Sequence, residues 1–171
     1  MGREEPSARV YRVFIITASD RCARGELPDE SGPMIRRIAE AGGYTFAGYT
    51  LLPDDQAGLE AEMRRICDEN LADLILTTGG TGFSPRDQMP EATMAAAERP
   101  VPGIPEALRQ YSLTITKRAM LSRAAAAIRR RTLIVNLPGS PRAVREQLSF
   151  IIDELRHGLD MLTGGTAEQG T

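Results

Sequence analysis

The stretch Thr77–Thr93, TTGGTGFSPRDQMPEAT, gathers residues that could handle phosphate. Gly79, Gly80 and Gly82 fall within four positions, and two carboxylates, Asp87 and Glu91, follow. Glycines permit positive φ and let a ligand come close to the backbone. Their N–H groups can cradle phosphate oxygens without interference from side chains. Thr77, Thr78 and Thr81 add hydroxyl donors. The loop is neither a Walker-type Gly-Lys-Ser/Thr motif nor a GxGxxG fingerprint. Taken alone, it reads equally well as a tight strand-to-helix turn.

Other candidates lie elsewhere in the chain. Asp54 and Asp87 each belong to a polar loop that follows an apolar run, so they could converge. Two carboxylates beside a phosphate site suit Mg²⁺, which prefers oxygen ligands and bridges to substrate phosphates. Taken singly, each acid has a plainer reading: Asp54 or Asp55 as a helix cap, Asp87 as a turn residue or the partner of Arg86. Met120–Arg131, MLSRAAAAIRRR, offers Ser122 and four arginines. Arginine forks match phosphate geometry. The segment reads alternatively as an exposed helix or loop. Asn136, Pro138, Gly139 and Ser140 form a turn, NLPGS. No sequence-adjacent base accompanies Cys22 or Cys67, and Ser140 is not in a GxSxG elbow. Nucleophilic hydrolysis is therefore poorly supported, whereas phosphoryl or nucleotidyl transfer needs mainly positioning and charge neutralisation.

The elements that must place these residues follow from periodicity. Tyr11–Ala18, Tyr44–Leu52, Leu74–Thr77 and Thr132–Leu137 read as strands, the first and last as runs buried on both faces. Helices are expected from Ser31 to Gly42-Gly43, after Pro53-Asp54-Asp55, over Glu91–Glu98, over Ile104–Lys117, and from Val144 to Leu162 up to Gly164-Gly165. This alternation predicts an α/β fold of three layers, an open, mainly parallel sheet with helices on both faces. Residues 11–163 form one expected domain between a flexible N-terminal tail at 1–10 and a C-terminal tail at 164–171. Ligands of such sheets sit outside the carboxyl ends of the strands. Ser19-Asp20, Asp54, Gly79–Asp87 and Asn136–Ser140 all belong there, as one composite site.

Composition narrows the class. The chain has 171 residues, 42% hydrophobic and 26% charged, with a net charge of −2. This is ordinary for a soluble globular protein and gives no electrostatic case for nucleic acid or an anionic membrane. The first residues, MGREEPSARV, lack the apolar core of a signal peptide, and no apolar run is long enough to cross a bilayer. The two cysteines lie outside any CxxC or Cys/His cluster, which fits reduced thiols in a cytoplasmic protein.

TASDRCARGELPDESGP, LPDD, LILTTGGTGFSPRDQMPEAT, AMLSRAAAAIR and TLIVNLPGSPRAVREQL occur in this order. Together they resemble the molybdenum-cofactor-biosynthesis domain, above all its molybdopterin adenylyltransferase branch, which includes the MogA-type proteins and the G domain of gephyrin. The resemblance runs from about Tyr11 to Leu162. It implies adenylylation of the terminal phosphate of molybdopterin by Mg-ATP, with release of pyrophosphate. Asp54 and Asp87 then match the essential, metal-binding carboxylates. Gly79, Gly80, Thr81 and Gly82 match the phosphate loop, and Ser122 a serine that contacts molybdopterin. Ser19, Asp20, Asn136, Pro138, Gly139 and Ser140 match other pocket positions. A homotrimer and a downstream molybdenum insertase are also implied. The alternative is a non-catalytic molybdopterin-binding or scaffold member of the same family. The sequence departs from the family pattern at Met89, often Thr there, and at Ala127 and Arg131, often Gly. Met89 removes a hydroxyl, and Ala127 requires a backbone that does not need positive φ.

Overall fold

Residues 9–164 are described in this computed structural model, so most of both expected tails lies outside the described residues. Strands and helices alternate. β1 (Arg12–Ala18), α1 (Asp20–Ala23), α2 (Ser31–Ala41), β2 (Thr45–Leu52), α3 (Gln56–Asp68) and β3 (Leu74–Thr78) make the first half. α4 (Met89–Ala96), β4 (Arg99–Pro100), α5 (Gly103–Leu113), a 3-10 turn (Lys117–Leu121), β5 (Ala126–Arg129), β6 (Thr132–Leu137) and α6 (Pro141–Leu162) complete it.

The sheet order is β2-β1-β3-β6-β5-β4. β2, β1, β3 and β6 run parallel, whereas β5 is antiparallel to β6 and β4 to β5. Alternate side chains of the central strands feed two cores, because successive Cβ atoms point to opposite faces. Val13, Ile15, Leu74, Leu76 and Val135 pack against α2 and α6. Phe14, Ile16, Ile75 and Ile134 pack against Leu59, Met63 and Ile66 of α3 and Ala92 and Ala96 of α4. The result is the expected three-layer α/β fold, with a parallel centre and one antiparallel margin.

That margin is hidden in the sequence. Met120–Arg131 is neither an exposed helix nor a plain loop: it holds the end of the 3-10 turn and strand β5, where Ala126 and Ala127 are buried. Alanine has little strand propensity, so the local pattern does not announce β5; pairing with β6 decides it. Arg130 makes the hairpin turn at φ 52. The helix expected over Ile104–Lys117 stops at Leu113, just before the β-branched run Thr114-Ile115-Thr116. The one expected at Glu91–Glu98 begins instead at Met89 and ends at Ala96.

Asn136, at the end of β6, is fully buried and ties three elements together. Its Nδ2 donates to the hydroxyls of Thr77 (3.0 Å) and Thr93 (2.8 Å), and its Oδ1 accepts from the Ala125 N–H (3.1 Å). Asn136→Ala leaves these partners unsatisfied inside the protein, and we expect a loss of roughly 2–4 kcal/mol in urea denaturation. A loss below the error of the measurement would show that water replaces the amide.

Candidate active site

Parallel pairing sets the site. Ala18 is level with Leu52, Thr17 with Thr78, and Thr78 with Leu137. The loops after β1, β2, β3 and β6 therefore start side by side along one edge.

Two compartments lie there. The first is a cavity of about 270 Å³ whose walls include Ser19, Cys22, Asp29, Ser31, Gly79 and Gly139. Gly79 has φ +91, and a Cβ on it would lie 2.2 Å from the Ala18 carbonyl oxygen. Only glycine lets β3 turn this closely against the end of β1. The Ser31 hydroxyl donates to the Gly139 carbonyl at 2.7 Å, and the Thr78 hydroxyl to the Pro138 carbonyl at 2.6 Å. Asp29, absent from the sequence candidates, orders one wall. Its carboxylate accepts from the N–H groups of Ser31 and Gly32 at the start of α2, and from the hydroxyls of Thr17 (2.8 Å) and Tyr49 (2.6 Å). The signal for it is the placement of Asp29 three residues before Gly32 in PDESGP, a helix-capping spacing.

The second compartment is acidic. Asp20 and Asp54 are tied reciprocally: the Asp20 N–H donates to Asp54 Oδ2 (3.1 Å) and the Asp54 N–H to Asp20 Oδ1 (3.0 Å). Asp55, not Asp54, caps α3, through the Gly58 N–H at 2.8 Å. Arg86 bonds Asp20 rather than Asp87, through Nε (2.9 Å) and Nη2 (3.0 Å). Asp87 Oδ2 accepts from the Ser84 N–H at 3.0 Å, closing the turn that follows the glycine loop. Arg123 pins this loop from outside: its backbone N–H donates to the Thr81 carbonyl, its Nε to the Gly82 carbonyl and its Nη2 to the Asp87 carbonyl.

Electrostatics separate the acids. The Arg86 guanidinium holds the Asp20 carboxyl down, at about 2. Asp54 is pushed up from its ordinary value of 3.8, first by burial and then by the negative charges of Asp20 and Asp87. Asp54 Oδ1 is buried with no hydrogen-bond partner among the described residues. Such an atom calls for a proton or a cation. No group of three or more His, Cys, Asp or Glu side chains suited to a metal exists among the described residues. Mg²⁺ commonly takes one or two carboxylates and completes its shell with water and phosphate, so Asp54 and Asp87 fit it.

Similarity to known proteins extends over most of the chain. Residues 14–157 match the family model described as "Probable molybdopterin binding domain". The chain belongs to this molybdopterin binding domain family. The molybdopterin adenylyltransferase of Helicobacter pylori strain J99 is 36% identical over 160 residues, 91% of this chain and 90% of that one. The molybdopterin adenylyltransferase of Escherichia coli K12 is 40% identical over 144 residues, 83% of this chain and 74% of that one. Among solved structures, the molybdopterin biosynthesis enzyme MoaB of Thermus thermophilus is 44% identical, with a TM-score of 0.86, covering 91% of this chain and 98% of that one.

The positions expected from the family pattern fall into three groups. Ser19, Gly79 and Gly139 line the cavity. Asp20, Asp54, Gly80 and Asp87 surround the acidic compartment; a Cβ on Gly80 would lie 3.3 Å from Asp54 Oδ1. Gly82 flanks the same compartment, since a Cβ on it would lie 2.9 Å from Asp87 Oδ2, and Thr81 lies between these glycines. Ser122, Asn136 and Ser140 serve the frame. Ser140 caps α6 through the Ala143 N–H, Asn136 is the buried clamp, and the Ser122 hydroxyl accepts from the Ala124 N–H at 3.3 Å. Ser122 nevertheless adjoins Arg123, which pins the loop.

The three departures are each accommodated. Met89 is fully buried in the core beside Gly80, whose carbonyl accepts its N–H at 3.1 Å. Ala127 is a strand residue without positive φ, and the residue of the hairpin that needs it is Arg130, not Arg131.

The partnerless Asp54 oxygen generates a stability prediction. A carboxyl raised in the folded state destabilises the fold once ionised, so its cost is absent at low pH and grows as pH rises through 3.8 and the raised folded value. In EDTA, Asp54→Asn should match the wild-type melting temperature near pH 3.5 and exceed it at pH 7. A variant that melts below wild type at pH 7 would contradict the burial of an uncompensated charge.

Proposed function

We propose that this protein transfers an adenylyl group from ATP to the terminal phosphate of molybdopterin, in the cytoplasm and with Mg²⁺, as a step in molybdenum cofactor biosynthesis. The observation that carries the reading is the convergence of the Gly79–Gly82 loop, Asp54 and Asp87 at one sheet edge of a chain whose relatives are named molybdopterin adenylyltransferase.

A phosphate oxygen of molybdopterin attacks the α-phosphorus of ATP. The new P–O bond forms, the bond from the α-phosphorus to the bridging oxygen breaks, and its electron pair leaves with pyrophosphate. The nucleophile belongs to the substrate, which agrees with the state of the chain's own candidates. Burial pushes the Cys67 thiol up to about 11, and the Ser19 and Ser140 hydroxyls are engaged as helix caps. The glycine loop binds phosphate through its N–H groups, and the bonds that its Gly80, Thr81 and Gly82 carbonyls accept from Met89 and Arg123 hold that backbone in place. The cavity beside Gly79 holds part of a substrate against Ser19 and Gly139. Asp54 and Asp87 would hold Mg²⁺, which when bound neutralises phosphate charge and eases departure of pyrophosphate.

The reading includes a homotrimer and delivery of product to a molybdenum insertase. Exposed Leu113, Ile115, Met120 and Leu121, in and around the 3-10 turn, supply apolar surface for self-association. No helix among the described residues is long and apolar enough to cross a membrane.

The test is incubation with molybdopterin, ATP and Mg²⁺, with mass analysis for the adenylylated pterin. Asp87→Asn should keep its fold by circular dichroism and lose about 10²-fold or more in rate, as expected when a charge-stabilising group at the reacting phosphates is removed. Full activity in that variant would remove Asp87 from the chemistry. Wild-type protein that binds molybdopterin but never adenylylates it would leave only the binding role.

A further inference from the structure

The acidic compartment carries three carboxylates, Asp20, Asp54 and Asp87, and the charges of Asp20 and Asp87 both act on Asp54. Like charges this close need a counter-charge to stay in order. Arg86 supplies it, and its attachment differs from that of the neighbouring arginine. Arg123 is anchored to the loop carbonyls of Gly82 and Asp87 and to Glu91, a role in the frame. Among the described residues, the Arg86 side chain has no such anchor. It is 60% exposed, and its fork grips both oxygens of Asp20, the acid that is itself locked to Asp54 by the reciprocal bonds.

The turn that carries Arg86 is tied to the second metal-binding candidate. The Asp87 carboxylate accepts from the Ser84 N–H, the Asp87 N–H donates to the Ser84 carbonyl at 2.9 Å, and the Arg86 N–H reaches the Ser84 hydroxyl at 3.4 Å. Any force that redirects the Asp87 carboxylate acts on the turn that carries Arg86. The two bonds of the fork hold the pair, but Arg86 itself lies largely in solvent, so its guanidinium can move to another anion without leaving a buried charge behind. A guanidinium fork matches phosphate oxygens as well as it matches a carboxylate.

We propose that Arg86 is a resident counter-charge: it orders the Asp20–Asp54 pair before ligands arrive, competes with a divalent cation for their charge, and turns to the nucleotide phosphates once that charge is neutralised. The inference rests on the reading that Asp54 and Asp87 take a divalent cation together with a nucleotide. Arg86 is in this sense a positioning residue, and its exchange couples the arrival of cation and nucleotide.

The experiment compares wild type, Arg86→Ala and Arg86→Gln. Mn²⁺ binding is followed by electron paramagnetic resonance without nucleotide, and binding of α,β-methylene ATP is then measured at saturating Mn²⁺. Loss of the competing charge should tighten Mn²⁺ binding roughly three- to tenfold, while nucleotide binding weakens by a similar factor. A merely structural arginine would weaken both on removal. Mn²⁺ affinity that is equal or lower in both variants overturns the counter-charge role, and unchanged nucleotide affinity overturns the exchange. Mn²⁺ bound by none of the three proteins overturns this inference together with the metal role of Asp54 and Asp87, so failure of the wider reading is told apart from failure of Arg86 alone.

Discussion

One oxygen atom organises the site. Asp54 Oδ1 is removed from water and has no hydrogen-bond partner among the described residues, while its twin Oδ2 accepts the Asp20 N–H. A fold that served only stability would not keep a carboxylate in this state, because burial and two neighbouring acids both oppose its charge. The surroundings hold it there regardless. The reciprocal Asp20–Asp54 bonds join the loop after β1 to the loop after β2, and Gly80 leaves space beside the free oxygen. The geometry suits a cation that arrives with the substrate more than one held permanently. The chain supplies few ligands and leaves the rest of a hydrated shell to phosphate.

The frame makes this possible through strand register. Four parallel strands end level with one another, so short loops suffice to bring distant sequence together. Polar groups buried behind the loops then fix their position. Asn136 clamps β6 to β3, α4 and the entry to β5, while the Thr78 and Ser31 hydroxyls hold the Pro138-Gly139 turn. Several residues that match the family's pocket pattern therefore act one step behind the surface. They shape the cavity by locking the backbone that lines it.

The parallel centre of the sheet is legible in the sequence because β1, β3 and β6 each centre on a short apolar run, Val13–Ile16, Leu74–Leu76 and Leu133–Val135, as strands buried on both faces require. The glycine loop and its acids are legible only in company: taken singly each reads as a turn or a cap, and their order with LPDD, MLSR and NLPGSP is what resembles a known site. β4 and β5 are concealed, since an alanine-rich strand and a two-residue strand carry no periodic signal of their own. Partners are harder still. Adjacency suggests Asp87 as the partner of Arg86, yet Arg86 reaches Asp20, 66 positions away in sequence. Asp29 gives little sign of its role because its partners Thr17 and Tyr49 lie on two different strands. Spacing along the chain reports elements well and cross-element bonds poorly.

The most direct test is a crystal structure with Mn²⁺ and α,β-methylene ATP, using the anomalous signal of manganese to locate the ion. A peak within bonding distance of Asp54 Oδ1 and Asp87, with phosphate oxygens completing the shell at the Gly79–Gly82 loop, is the predicted result. A nucleotide bound at the loop with manganese elsewhere, or with Asp54 Oδ1 still without a partner, would contradict it.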